Sequence, residues 1–343
     1  MNKTAAPHPR SRVQATSHPI GWPRLKRRAR AALGALAGAW ALSGALAQTP
    51  APQPLPVQQV APGTWLAQGE AALGSPANRN FISNAAFVVT PEGVVVIDAL
   101  GSPALADGLL AAIARITPLP VRYVIVTHYH ADHIYGLQRF KAAGARIVAG
   151  TQGREYLASD TARLRLQASR EELAPWIDEA TQLVPADRWL DGPTVIELGG
   201  ERLRVQPVGP AHTPEDLVVL HERTGVLFTG DLVFQGRIPF VGQADSSSWI
   251  RSLDQLLALE PRLLVPGHGA ISSQPAADLR LTRDYLVHLR QAMGEAAANL
   301  EPFEDAYART DWSRFESLPL FQAANRINAY NTYLLMEREG MGR

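Results

Sequence analysis

The chain has 343 residues and contains no cysteine. It therefore forms no disulfide bond, offers no thiolate to a metal ion and has no cysteine nucleophile for covalent catalysis. A metal site in this protein must be built from imidazole and carboxylate ligands.

Long apolar runs are also scarce. The run from Ala31 to Leu46 has 16 residues, is rich in Ala and Gly, and is short for a membrane span. Basic residues precede it, and Ala45-Leu46-Ala47 forms a small-x-small cleavage pattern. We therefore predict that residues 1–47 are a signal peptide cleaved after Ala47, which leaves no stable membrane span and makes the protein periplasmic or secreted. An uncleaved anchor helix is the alternative, and both the Sec and the twin-arginine export routes stay open.

Positive charge is scarce beyond this leader. Eight of the 33 Lys and Arg residues lie in residues 1–47, which hold no Asp or Glu, so the remainder has 25 basic and 32 acidic residues and a net charge of −7. Nucleic-acid-binding surfaces need clustered Lys and Arg. We therefore expect a small-molecule substrate and no nucleic-acid partner.

The rest of the chain divides into three segments by composition. Residues 48–62 are rich in Pro and Gln and predict an extended linker, with regular structure beginning near Thr64. Residues 63–274 alternate apolar strands with amphipathic helices and include a β-α-β unit that ends in strand Val121–Val126. The sequence pattern of residues 275–343 predicts a helical C-terminal extension. Periodicity alone therefore predicts an α/β fold.

The charged, amphipathic segment Gln152–Ala180 interrupts this alternation. Its pattern predicts two helices with a break near Pro175. Because it leaves the β-α rhythm, we expect it to form a lid or a wall of the substrate pocket.

The stretch Thr127–Gly136, T-H-Y-H-A-D-H-I-Y-G, directly follows the predicted strand. It places His128, His130, Asp132 and His133 within six residues. Packing does not explain four ligand-type side chains in one tight loop. The stretch therefore indicates a metal site.

Three further positions share one local pattern, an apolar strand followed by a turn that carries a ligand-type residue. They are His212, Asp231 and His268. Any one of them alone fits ordinary turn chemistry. However, five of the seven histidines beyond residue 47 lie in these loops, and we expect structural roles only for His221 and His288. Imidazole and carboxylate without thiolate suit zinc, with iron and manganese as alternatives.

Together, H-Y-H-A-D-H and these three residues resemble the metallo-β-lactamase superfamily, in its dinuclear, glyoxalase II-like ligand set, over roughly Thr64 to Ile271. The resemblance implies a four-layer αββα sandwich. It also implies two zinc ions, one held by His128, His130 and His212, the other by Asp132, His133 and His268, with Asp231 bridging them.

A narrower resemblance concerns Asn80–Ala85, the strand ending at Asp98, V-I-V-T-H-Y-H-A-D-H-I-Y-G-L and the terminal N-A-Y-N-T-Y-L-L-M-E. These stretches are similar to the exported quinoprotein relay system zinc metallohydrolases. That similarity implies an association with a periplasmic quinoprotein system.

The resemblance implies that metal-bound hydroxide attacks a small ester, thioester, lactone or amide. We expect Asp132 both to ligate a metal and to orient the nucleophile. Asp98 is a candidate acceptor for the N–H of a ligand histidine, with a turn aspartate before a helix as the alternative. Four apolar or aromatic residues are candidates for the pocket mouth, with core packing as the alternative: Tyr129, Tyr135, Leu137 and Phe234.

Phe234 also stands where one subclass of β-lactamases has a lysine that binds the substrate carboxylate. Asp231 stands where the same enzymes have a thiolate ligand. Turnover of penicillin-type substrates is therefore not implied. Two other functions stay open. One is an iron-dependent redox enzyme of the same fold, and the other is a non-catalytic periplasmic accessory protein for quinoprotein maturation.

Overall fold

The computed structural model describes residues 52–341. The predicted signal peptide, its cleavage after Ala47 and the first residues of the predicted linker lie outside this range and stay predictions. Within residues 52–341, no helix is long and apolar enough to cross a membrane.

Two β-sheets form the centre of the molecule. The seven-stranded sheet has its strands in chain order: β1 Gln58–Ala61, β2 Thr64–Ala67, β3 Ala85–Thr90, β4 Gly93–Ile97, β5 Val121–Ile125, β6 Arg146–Gly150 and β7 Arg188–Leu190. The five-stranded sheet has the order β12-β11-β10-β9-β8: β8 Thr194–Leu198, β9 Glu201–Pro207, β10 Leu217–His221, β11 Val226–Phe234 and β12 Leu263–His268. We call the part of the chain that forms the first sheet the N-terminal half, and the part from β8 onward the C-terminal half.

Nine helices accompany the sheets in the described range. They are α1 Pro103–Ile116, α2 Ala131–Ile134, α3 Leu137–Ala142, α4 Gly153–Ala158, α5 Asp160–Glu172, α6 Ser246–Leu257, α7 Pro275–Ala298, α8 Phe303–Arg309 and α9 Phe321–Met341.

The predicted β-α-β unit is present as β4-α1-β5. The Ser102 side chain accepts a hydrogen bond from the backbone of Leu105, and Pro103 occupies the first turn, so both residues favour the start of α1 at this point. Strands β4 and β5 pair in parallel, as do β5 and β6. The carboxyl ends of these strands therefore lie along one edge of the sheet.

The two sheets pack face to face with helices on both outer faces. Ile97 from the first sheet and Val205 and Phe228 from the second belong to one buried apolar layer. Leu109 of α1 is buried on the outer face of the first sheet, and Trp249 of α6 on that of the second. This confirms the predicted four-layer αββα sandwich. Helices α7–α9 confirm the predicted helical C-terminal extension.

Several element boundaries differ from the sequence predictions. The first strand begins at Gln58 rather than near Thr64, because residues 58–61 pair antiparallel with β2 despite their linker-like composition. Strand β7, a three-residue segment, was not predicted because it is too short to show a period. The predicted break near Pro175 lies instead at Ser159, whose side chain accepts from the backbone of Ala162 and so caps α5.

Candidate metal centre

The seven predicted ligands lie together at the edge where strand ends from both sheets meet. His128, His130, Asp132 and His133 follow β5 directly, in the loop and in α2. The other three come from separate places in the second sheet: His212 from the loop after β9, Asp231 from within β11 and His268 from the last position of β12.

These side chains form two groups. In the first, the ligand atoms of His128, His130, His212 and Asp231 lie within 4.8 Å of one another. In the second, those of Asp132, His133 and His268 do the same. This division agrees with the resemblance, which implies one metal ion held by His128, His130 and His212 and another held by Asp132, His133 and His268.

Asp231 lies between the two groups. Its Oδ1 is 3.2 Å from His133 Nε2, and its Oδ2 is 3.3 Å from His268 Nε2 in the second group. The same Oδ2 is 3.5 Å from His212 Nε2 and 3.7 Å from His128 Nε2 in the first group. One carboxylate therefore reaches both groups, which is the geometry of a bridging ligand.

Several of these atoms are buried and have no hydrogen-bond partner in the described part of the chain. They include His128 Nε2, His133 Nε2 and Asp231 Oδ1. Buried polar atoms normally have partners, because an unpaired one costs free energy. Unpaired imidazole and carboxylate atoms that converge this way fit divalent cations placed among them. Within the first group, His212 Nε2 and His130 Nδ1 lie at hydrogen-bond distance, 3.0 Å.

Two histidines are oriented from behind by Asp98. Asp98 Oδ2 lies 2.8 Å from His133 Nδ1, and it also accepts from Thr127 Oγ1 at 2.8 Å, while Oδ1 accepts from the Thr127 backbone N–H. Thr127 Oγ1 in turn lies 3.0 Å from His128 Nδ1. With its hydroxyl proton given to Asp98, Thr127 accepts from His128, so both rings keep the Nε2 lone pair directed into the site.

The loop segment 82–84, directly before β3, fixes the ligands of the second group. His268 Nδ1 donates to the Ile82 carbonyl at 2.7 Å, which leaves Nε2 free for the site. The Asn84 side chain donates to two backbone carbonyls on either side of His268. The hydroxyl of Ser83 donates to the Asp132 carbonyl. The two halves are therefore joined by hydrogen bonds at the site itself.

Two glycines allow β11 and β12 to approach the site. Gly230 has φ +51°, and a Cβ there would lie 2.6 Å from Thr127 Oγ1. A Cβ on Gly267 would lie 2.0 Å from Asp231 Oδ1. Because of Gly230 the register of β11 shifts on both sides of that residue, and Asp231 belongs to an irregular strand rather than to the turn that the sequence predicted.

The pKa values of the buried histidines are shifted in opposite directions. Burial lowers the pKa of His128, and it lowers the pKa of His212 to about 3, so both rings are neutral and able to ligate. Burial also acts on His268, but Asp231 and Asp132 outweigh it and raise its pKa to about 9. The neighbouring histidines in turn outweigh burial at both carboxylates and lower their pKa values. The carboxylates thus attract positive charge into the centre.

A cavity of about 500 Å³ opens onto the centre beside His130, Asp132, Asp231 and His268. Its other walls come from three places: Leu73 and Ile82 before β3, Tyr156 and Arg165 on α4 and α5, and Phe234, Arg237 and Phe240 at the end of β11 and beyond. Part of the segment 152–180 thus forms a pocket wall, as its sequence predicted.

Of the four candidates for the pocket mouth, Phe234 lines the cavity. For the other three, the alternative of core packing is the one that the structure shows. Tyr129, Tyr135 and Leu137 are between 0% and 2% exposed and belong to the core under the first sheet. The Tyr129 hydroxyl donates to the Val184 carbonyl and the Tyr135 hydroxyl contacts Ser169. Their proximity to the histidines in sequence is misleading, because the tight loop directs their rings to the opposite side.

Sequence reasoning missed two kinds of residue here. Glu215 accepts from the Tyr129 backbone, and Asp216 accepts from the backbone and hydroxyl of Thr213, so both brace the loops that carry the first group. Arg237 lines the cavity while 93% buried. Its sequence context, F-Q-G-R-I-P-F, contains no motif that indicates this placement.

Comparisons with known proteins agree with this geometry. The chain is 26% identical over 244 residues to a linear primary-alkylsulfatase of Pseudomonas sp. (strain ATCC 19151), covering 59% of this chain and 45% of that enzyme. It is 32% identical over 191 residues to an acyl-coenzyme A thioesterase of Gallus gallus, covering 51% and 68%. The stereoselective inverting sec-alkylsulfatase Pisa1 from Pseudomonas sp. shares the fold, with a TM-score of 0.65, 17% identity and coverage of 82% of this chain and 50% of its own.

The family model of the metallo-beta-lactamase superfamily matches residues 78–268. This range contains the loop after β5, all seven predicted ligands and every strand from β3 to the last residue of β12. The match covers more than half of the chain and ends at the last predicted ligand, His268. This protein therefore belongs to the metallo-beta-lactamase superfamily.

Proposed function

We propose that this protein is an exported dinuclear metal-dependent hydrolase, with zinc as its metal, that acts on a small ester, thioester, lactone or amide. The observation that carries the proposal is the position of Asp231, whose carboxylate lies within 3.7 Å of histidines from both groups. A mononuclear centre would not need the complete second set of Asp132, His133 and His268.

His128, His130 and His212 would hold one ion, Asp132, His133 and His268 the other, and Asp231 both. Two divalent ions held this way supply Lewis acidity toward a carbonyl oxygen and activate water for attack near neutral pH. The buried, unpaired Nε2 atoms of His128 and His133 provide the matching donor set.

Asp132 is accessible from the cavity, so its carboxylate can contact an attacking water, whereas the more deeply buried carboxylate of Asp231 cannot. Its side chain is 16% exposed and lines the cavity, whereas the side chain of Asp231 is only 4% exposed. Its Oδ2 lies 3.2 Å from His268 Nε2. An attacking water in the cavity can therefore donate a hydrogen bond to Asp132, which orients the water toward the substrate.

Two of the relatives support cleavage of ester-type bonds. An alkylsulfatase and a thioesterase are both hydrolases of esters or thioesters by name. The chain spans only 45% of the alkylsulfatase, so this substrate preference is part of the proposal. Association with a periplasmic quinoprotein system likewise stays a prediction.

The test is a hydrolysis screen of the purified protein against lactones, thioesters, carboxylic esters, phosphodiesters and a chromogenic β-lactam. We expect turnover of at least one ester, thioester or lactone that is lost in Asp132→Ala and retained in Asp254→Ala, a change at a half-exposed aspartate of α6. Metal analysis of the same samples should find about two zinc ions per chain.

Three results would contradict the proposal. One is iron near one equivalent per chain together with oxygen consumption, which indicates the redox alternative. Another is an Asp132→Ala protein that keeps its metal and its biological activity, which indicates the accessory alternative. The third, an N-terminus of the mature protein that still contains residues 1–47, would contradict export by cleavage.

A further inference from the structure

Arg237 is the cationic side chain buried deepest in the cavity wall. It follows β11 in the loop between Phe234 and α6, is only 7% exposed, and lines the same cavity as Asp132 and Asp231. Its guanidinium carbon lies 5.5 Å from the centre of the Phe234 ring. An arginine in such a position is rare unless something pairs with it.

No acceptor in the described part of the chain pairs with this group. The Nε and Nη1 atoms of Arg237 are buried without a hydrogen-bond partner, and no carboxylate of residues 52–341 lies within ion-pair distance. By contrast, Arg165 lines the cavity but is 47% exposed and pairs with Glu172.

Among residues 52–341, the negative charges that act on Arg237 are those of Asp231 and Asp132 in the centre. Burial lowers its pKa, and Asp231 and Asp132 act in the opposite direction from a distance. The guanidinium nevertheless stays protonated. If the two carboxylates ligate metal ions, their charge is already neutralised, and the buried guanidinium then has donors and charge available for a different anion.

The walls around Arg237 are apolar. Phe234 packs against the guanidinium, Ile82 lines the same cavity, and two large side chains stand exposed at its rim. Those two are Leu73, 63% exposed, and Phe240, 46% exposed. A ligand that fills this space therefore meets one cation inside and apolar surface toward the solvent.

We propose that Arg237 binds an anionic group of the substrate, so that the substrate is an amphiphile with a carboxylate or sulfate attached to an apolar body. This inference rests on the proposed function, because it assigns the substrate class of the same site. The planar guanidinium can present two parallel N–H donors to either oxyanion.

The C-terminal helix holds the Arg237 segment in place. Asn328 of α9 donates from Nδ2 to the Pro239 carbonyl at 2.7 Å and accepts at Oδ1 from the Val241 backbone at 2.9 Å. The Ile238 backbone donates to the Pro319 carbonyl at 3.1 Å. The terminal stretch N-A-Y-N-T-Y, to which Asn328 belongs, thereby acts as a positioning element for the anion-binding wall.

Binding measurements test the proposal without depending on catalysis. We would titrate octanoate, octyl sulfate and octan-1-ol into the metal-loaded and the metal-free protein by calorimetry. Wild type should bind at least one of the two anions at least about tenfold more tightly than octan-1-ol, and Arg237→Gln should lose that preference while its affinity for octan-1-ol changes less than about twofold. Arg163→Gln, a change at an exposed arginine of α5, should behave as wild type.

A pair of matched esters then separates this inference from the proposed function. A nitrophenyl ester that ends in a carboxylate should have a lower KM than its neutral counterpart in wild type, and Arg237→Gln should remove that difference. Equal KM values for the two esters in wild type, with turnover intact, would overturn the anion site alone. Preference for the anions in binding without turnover of any ester would overturn the hydrolase alone.

Arg237→Lys guards against a folding defect. It keeps the charge but loses the paired N–H donors, so it should melt as wild type and bind the anions with an affinity between those of wild type and Arg237→Gln. If Arg237→Lys and Arg237→Gln both fold and both bind octanoate and octyl sulfate as tightly as wild type, the assignment is wrong.

Discussion

The two halves of the molecule supply the metal centre in different ways. The N-terminal half contributes four of the seven side chains from one stretch of six residues, His128–His133, at the end of a single strand. The C-terminal half contributes three side chains that are 19 and 37 residues apart, each on a different strand or loop. The first arrangement is local, and the second exists only when β9, β10, β11 and β12 pair in register.

The supporting contacts differ in the same way. In the N-terminal half, Asp98 on the adjacent strand end braces His133 directly and His128 through Thr127. In the C-terminal half, His268 is braced from the other half, through the Ile82 carbonyl. Loss of sheet-to-sheet packing would therefore disturb the C-terminal ligands more than the N-terminal ones.

Removing the metal ions should have the largest effect, because side chains from both halves then lose the ions that they hold together. Chelation should abolish turnover and leave Asp132 and Asp231 without their cations. At an ion concentration a thousandfold above Kd, the lost binding corresponds to about 4 kcal/mol of stability and roughly 10 °C in Tm. Calorimetry before and after chelation measures it; a Tm unchanged by chelation and by zinc would show that the centre binds no structural ion.

Single ligand replacements should separate the halves. Asp231→Ala should lower occupancy at both metal positions, because its carboxylate reaches both groups. His212→Ala should empty the first position and His268→Ala the second, each leaving about one ion per chain. Elemental analysis after dialysis gives the stoichiometry, and loss of both ions from His212→Ala would contradict two separable positions.

Asp98→Asn tests the brace of the N-terminal half. Replacing the carboxylate weakens the hydrogen bond that orients His133, and such changes weaken metal affinity by about 10–100-fold. Competition with a chromophoric chelator measures the affinity. Asp107→Asn, at a surface aspartate that pairs with Arg139, should leave it unchanged; equal affinities for wild type and Asp98→Asn would reduce Asp98 to a turn residue.

Asn328→Ala should have the smallest effect on the centre, because it acts through the Arg237 segment. It removes the two buried hydrogen bonds to residues 239 and 241 and a third to the Tyr285 hydroxyl, and it should cost about 1–3 kcal/mol of stability. KM for an anionic ester should rise a few-fold, with kcat and metal content retained. Asn331→Ala on the same helix is the control, and an equal rise in KM there would remove the special role of Asn328.

Much of the fold was predictable from local patterns. The β3–β4 and β8–β9 hairpins, the capped helix α1 and the C-terminal helices follow from apolar periodicity and turn residues, and these signals depend on neighbours in sequence. Strand β7 and the irregular course of β11 were not predictable. The first is too short to show a period, and the second depends on the close approach of Gly230 to Thr127 across the two sheets.

The candidate site shows the same division. Its seven ligand-type residues can be named from the sequence, because histidine and aspartate clusters after strands have few structural explanations. The residues that line its pocket cannot be named from the sequence. Tyr129 and Tyr135, adjacent to the histidines in sequence, are core residues, whereas Arg237 reaches the cavity from a stretch without a motif.

The sequence by itself thus determined the donor chemistry of this protein. With no cysteine and with H-Y-H-A-D-H after a buried strand, only imidazole and carboxylate ligands were available. The tertiary structure alone decided that Asp231 lies between the two groups and that Arg237 is buried beside them with no hydrogen-bond partner for its Nε and Nη1 atoms among residues 52–341. The physical reason is that residue identity sets which atoms can ligate, whereas burial and distance arise only when the two sheets pack together.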